Sequence, residues 1–362
     1  MTLVIRQIHP FGPCSYPLSI SPHCFYSSLV MNFLRTQLFG TSSPLFRPQV
    51  RAMHIQSIPM CRLMLRSRHI YYQATVAILE YCRNICLFYV NSIGTGKGNN
   101  YAYLVTDEPT KQSVIIDPAN PPEVAPELKS QIASGKINLT AIVNTHHHWD
   151  HAGGNGDILK QFKGLQVIGG KDCTSVTKTP AHGEEFKIGD RISVKALHTP
   201  CHTQDSICYY MQDGDQRVVF TGDTLFIGGM CIVFKFSHLS REYHGLILNP
   251  GCGRFFEGNA KEMHKALNET LASLPDDTKV YPGHEYTKAN VKFCIAVSQT
   301  EPIEKLQAFA DQNKQTQGKF TIGDEKLHNV FMRVNDPEIQ KVTGKTDPVD
   351  VMAALREMKN SM

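Results

Sequence analysis

Thr145-His146-His147-His148-Trp149-Asp150-His151 places five potential metal ligands in six consecutive positions. The run follows Ala141-Ile142-Val143-Asn144, a short apolar segment that reads as a buried strand delivering the histidines at its C-terminal end. In an extended chain His146 and His148 point the same way, because side chains alternate with period two. The turn beyond them brings Asp150 and His151 to a second position nearby. Two such groups of nitrogen and oxygen donors suit two adjacent metal ions, each with an open coordination position. A lone histidine would be read as a satisfied core or surface group. Four ligands in this pattern are read as a metal site.

Three further motifs offer donors. Thr199-Pro200-Cys201-His202-Thr203 puts His202 in a turn after a strand. Phe220-Thr221-Gly222-Asp223-Thr224 ends a strand at Asp223, with Gly222 permitting close backbone approach. Tyr281-Pro282-Gly283-His284-Glu285 sets His284 behind another strand. Each alone is better read as a polar turn, a cap or a surface histidine. Together with the first run they supply seven donor residues, enough for two metals that share one carboxylate.

Outward from these motifs, strands are expected at 53–60, 100–105, 114–117, 166–169, 192–197, 207–211 and 217–221, with helices at 122–134 and after Gly153-Gly154-Asn155. Polar motifs at strand ends, with helices interspersed, make an α/β layered sandwich. The character changes near residue 258. Met263, Leu267, Leu271 and Leu274 mark an amphipathic helix, and more helices are expected at 287–298, at 302–315 and from Pro348. Asp347 suits the N-cap of the last and Pro348 its first turn.

The net charge of +4 is misleading as an average. Residues 1–79 hold seven Arg and neither Lys, Asp nor Glu, so the remainder has 30 basic against 33 acidic residues. A nucleic-acid-binding protein concentrates basic charge on its folded part, and this chain does not. Residues 1–52 read as a transit-peptide-like or disordered extension, giving a mitochondrial matrix or cytoplasmic location. No segment has the roughly 18 uninterrupted apolar residues of a membrane span. Eleven cysteines without a CxxC pair do not make a secreted disulfide framework, and a reducing compartment is expected.

THHHWDHAGGN, TPCHT, FTGDTLF, GCGRFFEG and GHEYT, in that order, closely resemble the glyoxalase II (hydroxyacylglutathione hydrolase) family of the metallo-β-lactamase superfamily. The resemblance covers about residues 95–228 and 251–362, together with the expected strand at 53–60. It implies a catalytic αββα sandwich over 53–258, followed by a smaller helical substrate-binding domain over 259–362. It assigns His146, His148 and His202 to one metal, Asp150, His151 and His284 to the other, and Asp223 to both. Zinc is the first candidate, with iron or manganese as alternatives for N/O sites. The implied reaction is hydrolysis of S-D-lactoylglutathione to D-lactate and glutathione, in methylglyoxal detoxification, by attack of a metal-bridging hydroxide. On this reading Asp150 and Asp223 act as ligands that position the hydroxide. His147 and Trp149 pack or support. Arg254, Phe256, Tyr286, Arg356 and Lys359 match the glutathione contacts, and a monomer is expected. Spacing alone would favour a solvated pair for Arg356 and Lys359. Phe256 stands where a tyrosine often donates a hydrogen bond, a loss of about 1 kcal/mol, roughly fivefold in affinity.

Two stretches depart from the family: about 61–93, and Gly229 to Pro250, which should lie beside the substrate channel. They raise a rival reading, a metal-binding pseudoenzyme with an obstructed site. A persulfide dioxygenase-like relative with one iron is a second rival, disfavoured by the presence of both Asp150 and His284.

Overall fold

The computed structural model describes residues 88–95, 100–230 and 257–362. The expected strand at 53–60, the N-terminal extension, Arg254 and Phe256 lie outside the described residues.

Alternation along the strands builds the layers. In β2 (Asn100–Asp107) the side chains of Tyr101, Tyr103 and Val105 enter one core cluster, while Ala102 and Leu104 enter another. β3 (Gln112–Ile116) and β4 (Asn138–Val143) split the same way, with Val114, Ile116 and Val143 on one side and Ile115 and Ile142 on the other. A sheet apolar on both faces must be covered on both. These strands, with β1 (Phe88–Thr95) and β5 (Gln166–Ile168), form a five-stranded sheet in sequence order. The helices α1 (Pro121–Ala133) and α3 (Asn155–Gln161) cover its outer face through Val124, Leu128 and Ile158. Between them in sequence lies a single turn, α2 (Trp149–Ala152).

The second sheet contains β6 (Glu185–Ile188), β7 (Ile192–His198), β8 (Ile207–Asp213) and β9 (Gln216–Gly222) as an antiparallel meander. β12 (Lys279–Pro282) returns parallel to β9 at its edge. Val194, Ala196, Tyr209 and Phe220 face the first sheet's Tyr103, Ile116 and Val143 in one continuous core. The other face, with Leu197, Cys208, Val219 and Val280, meets the C-terminal helices. These are α4 (Ala260–His264, continuing in wider π-type turns over Lys265–Leu271), α5 (Thr287–Val297), α6 (Glu301–Gln312), α7 (Ile322–His328), α8 (Pro337–Thr343) and α9 (Pro348–Asn360). The expected α/β sandwich with a following helical part is therefore the observed architecture. No described helix is long and apolar enough to cross a membrane.

The structure describes one end of each extra stretch, and both ends are strands that the sequence reading did not name. Phe88–Ile93, assigned to the first, belongs to β1 and pairs with β2 in continuous register. Phe88, Tyr89, Val90 and Ile93 have the aromatic and β-branched character that strands favour. Gly229 and Met230, assigned to the second, form the short strand β11 against β10 (Leu225–Phe226), and both are buried. Residues 231–256 lie outside the described residues.

Asp347 caps α9 as its sequence position suggests, accepting from the amides of Val349 (2.9 Å) and Asp350 (3.1 Å). Asp347→Ala is expected to cost about 1 kcal/mol of stability. The measurement is the urea midpoint, which should fall at unchanged slope; an unmoved midpoint would contradict the capping role.

Candidate metal centre

Four strands converge on one end of the sandwich. β7 and β9 each run antiparallel to β8, and β12 runs parallel to β9, so all three finish at the same edge. His202 follows β7 by four residues, Asp223 directly follows β9, and His284 follows β12 by two. In the facing sheet β4 ends at Val143 and delivers His146 three residues later. Thr145 O accepts from the amide of Ile207 (2.8 Å), joining the histidine loop to β8.

The seven predicted donors meet there. His146 Nε2 lies 3.1 Å from His148 Nδ1, and His202 Nε2 lies 2.9 Å from the same atom. His151 Nε2 and His284 Nε2 are 3.1 Å apart, and Asp150 Oδ2 is 3.5 Å from His284 Nε2. Asp223 spans the two groups: Oδ2 is 3.4 Å from His202 Nε2, while Oδ1 is 3.3 Å from His151 Nε2 and 3.4 Å from His284 Nε2. His146, His148 and His202 thus form one potential metal-holding set, and Asp150, His151 and His284 another. Five of the seven are buried; His148 and Asp150 are partly exposed.

The electrostatics fit a cation. Burial holds the pKa of His146 and His148 below the ordinary histidine value, leaving neutral rings with lone pairs to donate. Burial opposes charge on His151, but the carboxylates of Asp223 and Asp117 outweigh it and hold its pKa well above the ordinary value. Asp223 is buried too, yet His284 and His151 keep its carboxyl well below the usual carboxylate range. Its Oδ1 is nonetheless buried with no hydrogen-bond partner among the described residues. A buried ionised oxygen needs positive charge beside it, which the His151 ring at 3.3 Å supplies here and a metal ion held by the same donors would supply in its place. Borderline nitrogen donors with a few carboxylates are the set that divalent transition metals prefer.

Sequence reasoning missed two supporting aspartates. Asp117, at φ +50, accepts from the Thr145 amide (2.9 Å) and hydroxyl (2.7 Å), and its Oδ2 lies 2.9 Å from His151 Nδ1. The available signal was a lone acid closing the buried strand β3. Asp205, three residues beyond His202, lies 2.7 Å from His147. Asn100, at the start of β2, donates to the carbonyl of Asp150 (3.0 Å).

The predicted substrate contacts divide. Tyr286 stacks on His284, with ring centroids 4.9 Å apart and planes at 10°. Arg356 and Lys359 share α9 and are both buried, so the reading of a solvated charge pair does not hold. Lys359 Nζ donates to Asn290 Oδ1 (2.7 Å) of α5, the helix that begins just past His284. Trp149 is 72% exposed and takes no place in the donor cluster.

Residues 95–284 match the metallo-β-lactamase superfamily, and residues 285–362 match the hydroxyacylglutathione hydrolase C-terminus. A Schizosaccharomyces pombe protein named as a probable hydroxyacylglutathione hydrolase is 51% identical over 266 residues, covering 74% of this chain and 95% of its own length. The cytoplasmic isozyme of hydroxyacylglutathione hydrolase from Saccharomyces cerevisiae is 44% identical, covering 73% of this chain and 95% of its own. The mitochondrial enzyme of the same yeast is 37% identical, covering 79% and 99%. Sandwich, donor cluster and both matched segments agree, and the chain belongs to the hydroxyacylglutathione hydrolase family of the metallo-β-lactamase superfamily.

Proposed function

We propose that this chain hydrolyses S-(2-hydroxyacyl)glutathione thioesters, S-D-lactoylglutathione foremost, to the hydroxyacid and glutathione, with two zinc ions per chain, in methylglyoxal detoxification. The observation that carries the reading is Asp223, whose two oxygens face two separate donor groups. His146, His148 and His202 would hold one ion, Asp150, His151 and His284 the other, and Asp223 both. Bound there, the ions supply Lewis acidity at the thioester carbonyl and a water acidified to near-neutral pKa. Asp150 serves as a ligand and not as a free base. Asp117 fixes the ring of His151 through its Nδ1. Tyr286, stacked on His284, would contact the substrate beside the cluster. Arg356 and Lys359, with Arg254, would give the carboxylates of glutathione charged partners in a partly desolvated setting, and Phe256 would offer only an apolar contact. The chain acts as a monomer, in the mitochondrial matrix or the cytoplasm.

The test is turnover of S-D-lactoylglutathione by the purified full chain, with metal content measured in parallel. The expected result is two ions per chain, turnover, loss of turnover on dialysis against a chelator, and recovery with zinc. Two ions without turnover would leave the pseudoenzyme reading. Turnover that survives complete removal of metal would overturn the mechanism.

A further inference from the structure

Beyond the seven donors, one buried carboxylate ties the two loops that carry His146, His148 and His202. Asp205 lies in the turn that follows His202, and its side chain is wholly buried. Its Oδ1 accepts from the Thr203 hydroxyl (2.7 Å) and lies 2.7 Å from His147 Nδ1, across 58 residues of sequence. Its Oδ2 lies 3.7 Å from Cys173 Sγ. A side chain at Gly170 would come within 2.3 Å of that same oxygen, so the neighbouring loop is cut close to admit the carboxylate. Burial works against the charge of Asp205, yet the hydrogen bonds from His147 and Thr203 hold its pKa below the ordinary value. The turn is braced by the Thr203 and Ser206 hydroxyls, 2.8 Å apart.

His147 passes this constraint on. Its ring meets that of His148 edge to face, with centroids 5.0 Å apart and planes at 73°. His148 is the ring on which His146 Nε2 and His202 Nε2 both converge, and it does so through Nδ1. An imidazole that donates through Nδ1 sits close to its own backbone, so a small rotation of the ring carries that atom off target. In the other group His151 is fixed directly, by Asp117 on its Nδ1. The Asp205–His147 pair acts on His148 one ring further out, through the edge-to-face contact of the two imidazoles. His147 Nε2 also lies 3.9 Å from Glu257 Oε1, and Glu257 accepts from the Gln204 amide (2.6 Å) of the same turn.

We propose that Asp205 and His147 are positioning residues that set the orientation of His148, and through it the metal affinity of the His146/His148/His202 group alone. This rests on the two-ion reading of the centre. The experiment measures zinc stoichiometry and affinity for the full chain, together with the absorption of the cobalt-substituted protein, whose bands report the geometry of each group. Asp205→Ala and His147→Ala should each weaken one of the two ions by about 10–100-fold and leave the other in place. The cobalt bands of one group should change while those of the other persist. Asp205→Asn, which keeps an oxygen to accept from His147, should restore the lost affinity to within a few-fold of wild type. His147→Ala removes a partly exposed ring, so it tests the same link where Asp205→Ala fails to fold. Unchanged affinity for both ions in His147→Ala would overturn the proposal. Equal weakening of both ions with a lowered melting temperature, unrescued by Asp205→Asn, would overturn it too and mark a general structural role. A wild-type chain that binds no zinc would sink the two-ion reading itself, an outcome visible before any variant is made.

Discussion

Asp223→Ala should reduce turnover of S-D-lactoylglutathione by more than about 100-fold and lower the bound metal below two ions per chain. Among the described residues Asp223 alone presents oxygens to both donor groups, at 3.4 Å from His202 and 3.3–3.4 Å from His151 and His284. Removing a group that merely supports a ligand already costs about 10–100-fold in metal affinity or activity. A ligand shared by two ions should cost more. Its charge matters beyond coordination, because His151 and His284 face it in a buried setting where an uncompensated charge is expensive. The variant is checked by metal analysis, single-turnover kinetics and a thermal melt. A folded variant that keeps two ions and wild-type turnover within about tenfold would sink the bridging role and the mechanism that depends on it.

The seven donors were legible because each follows a strand whose alternation is itself legible, and because five candidates lie in one run of six residues. What supports them was not. Asp117 reaches Thr145 across 28 residues, and Asp205 reaches His147 across 58. No local pattern marks an acid that acts at such separations. α7 and α8, of seven residues each, span too few turns to show a period. Nothing in the local sequence marks Glu325 on α7. In the fold it is fully buried, accepts from the Gly228 amide (3.0 Å) and Asn329 Nδ2 (2.9 Å), and lies 2.9 Å from His328 Nε2. It thereby holds the loop between β10 and β11 against the helical part. Arg356 and Lys359 were correctly placed on one helix face, but their burial depends on neighbours from α5 and could not be read from spacing. β1 shows the opposite failure. Its local strand character was present in the residues, yet no strand was named there.

Gly222→Ala tests a backbone feature that the sequence did announce. Gly222 closes β9 at φ +48, immediately before Asp223. An alanine there meets two separate costs. The left-handed conformation costs a residue with a Cβ about 1–2 kcal/mol. The added carbon would also lie 2.5 Å from Thr145 Oγ1 and 2.6 Å from Thr145 Cβ. Thr145 has little room to withdraw, since Asp117 holds both its amide and its hydroxyl, and its neighbour is His146. Overpacking of that kind costs about 1–3 kcal/mol. The sum, about 2–5 kcal/mol, is a large share of a typical domain's stability. Gly214→Ala separates the terms, because Gly214 sits at φ +57 in the β8–β9 turn with nothing within 4 Å of an added Cβ. Gly214→Ala should pay only the conformational cost and leave zinc binding untouched. Gly222→Ala should lose more stability and also weaken zinc, because Thr145 can move only by shifting the histidine loop. Equal destabilisation of the two variants, with zinc affinity unchanged in both, would mean that Thr145 yields freely and that the contact between β9 and the histidine loop does not set the geometry of the centre.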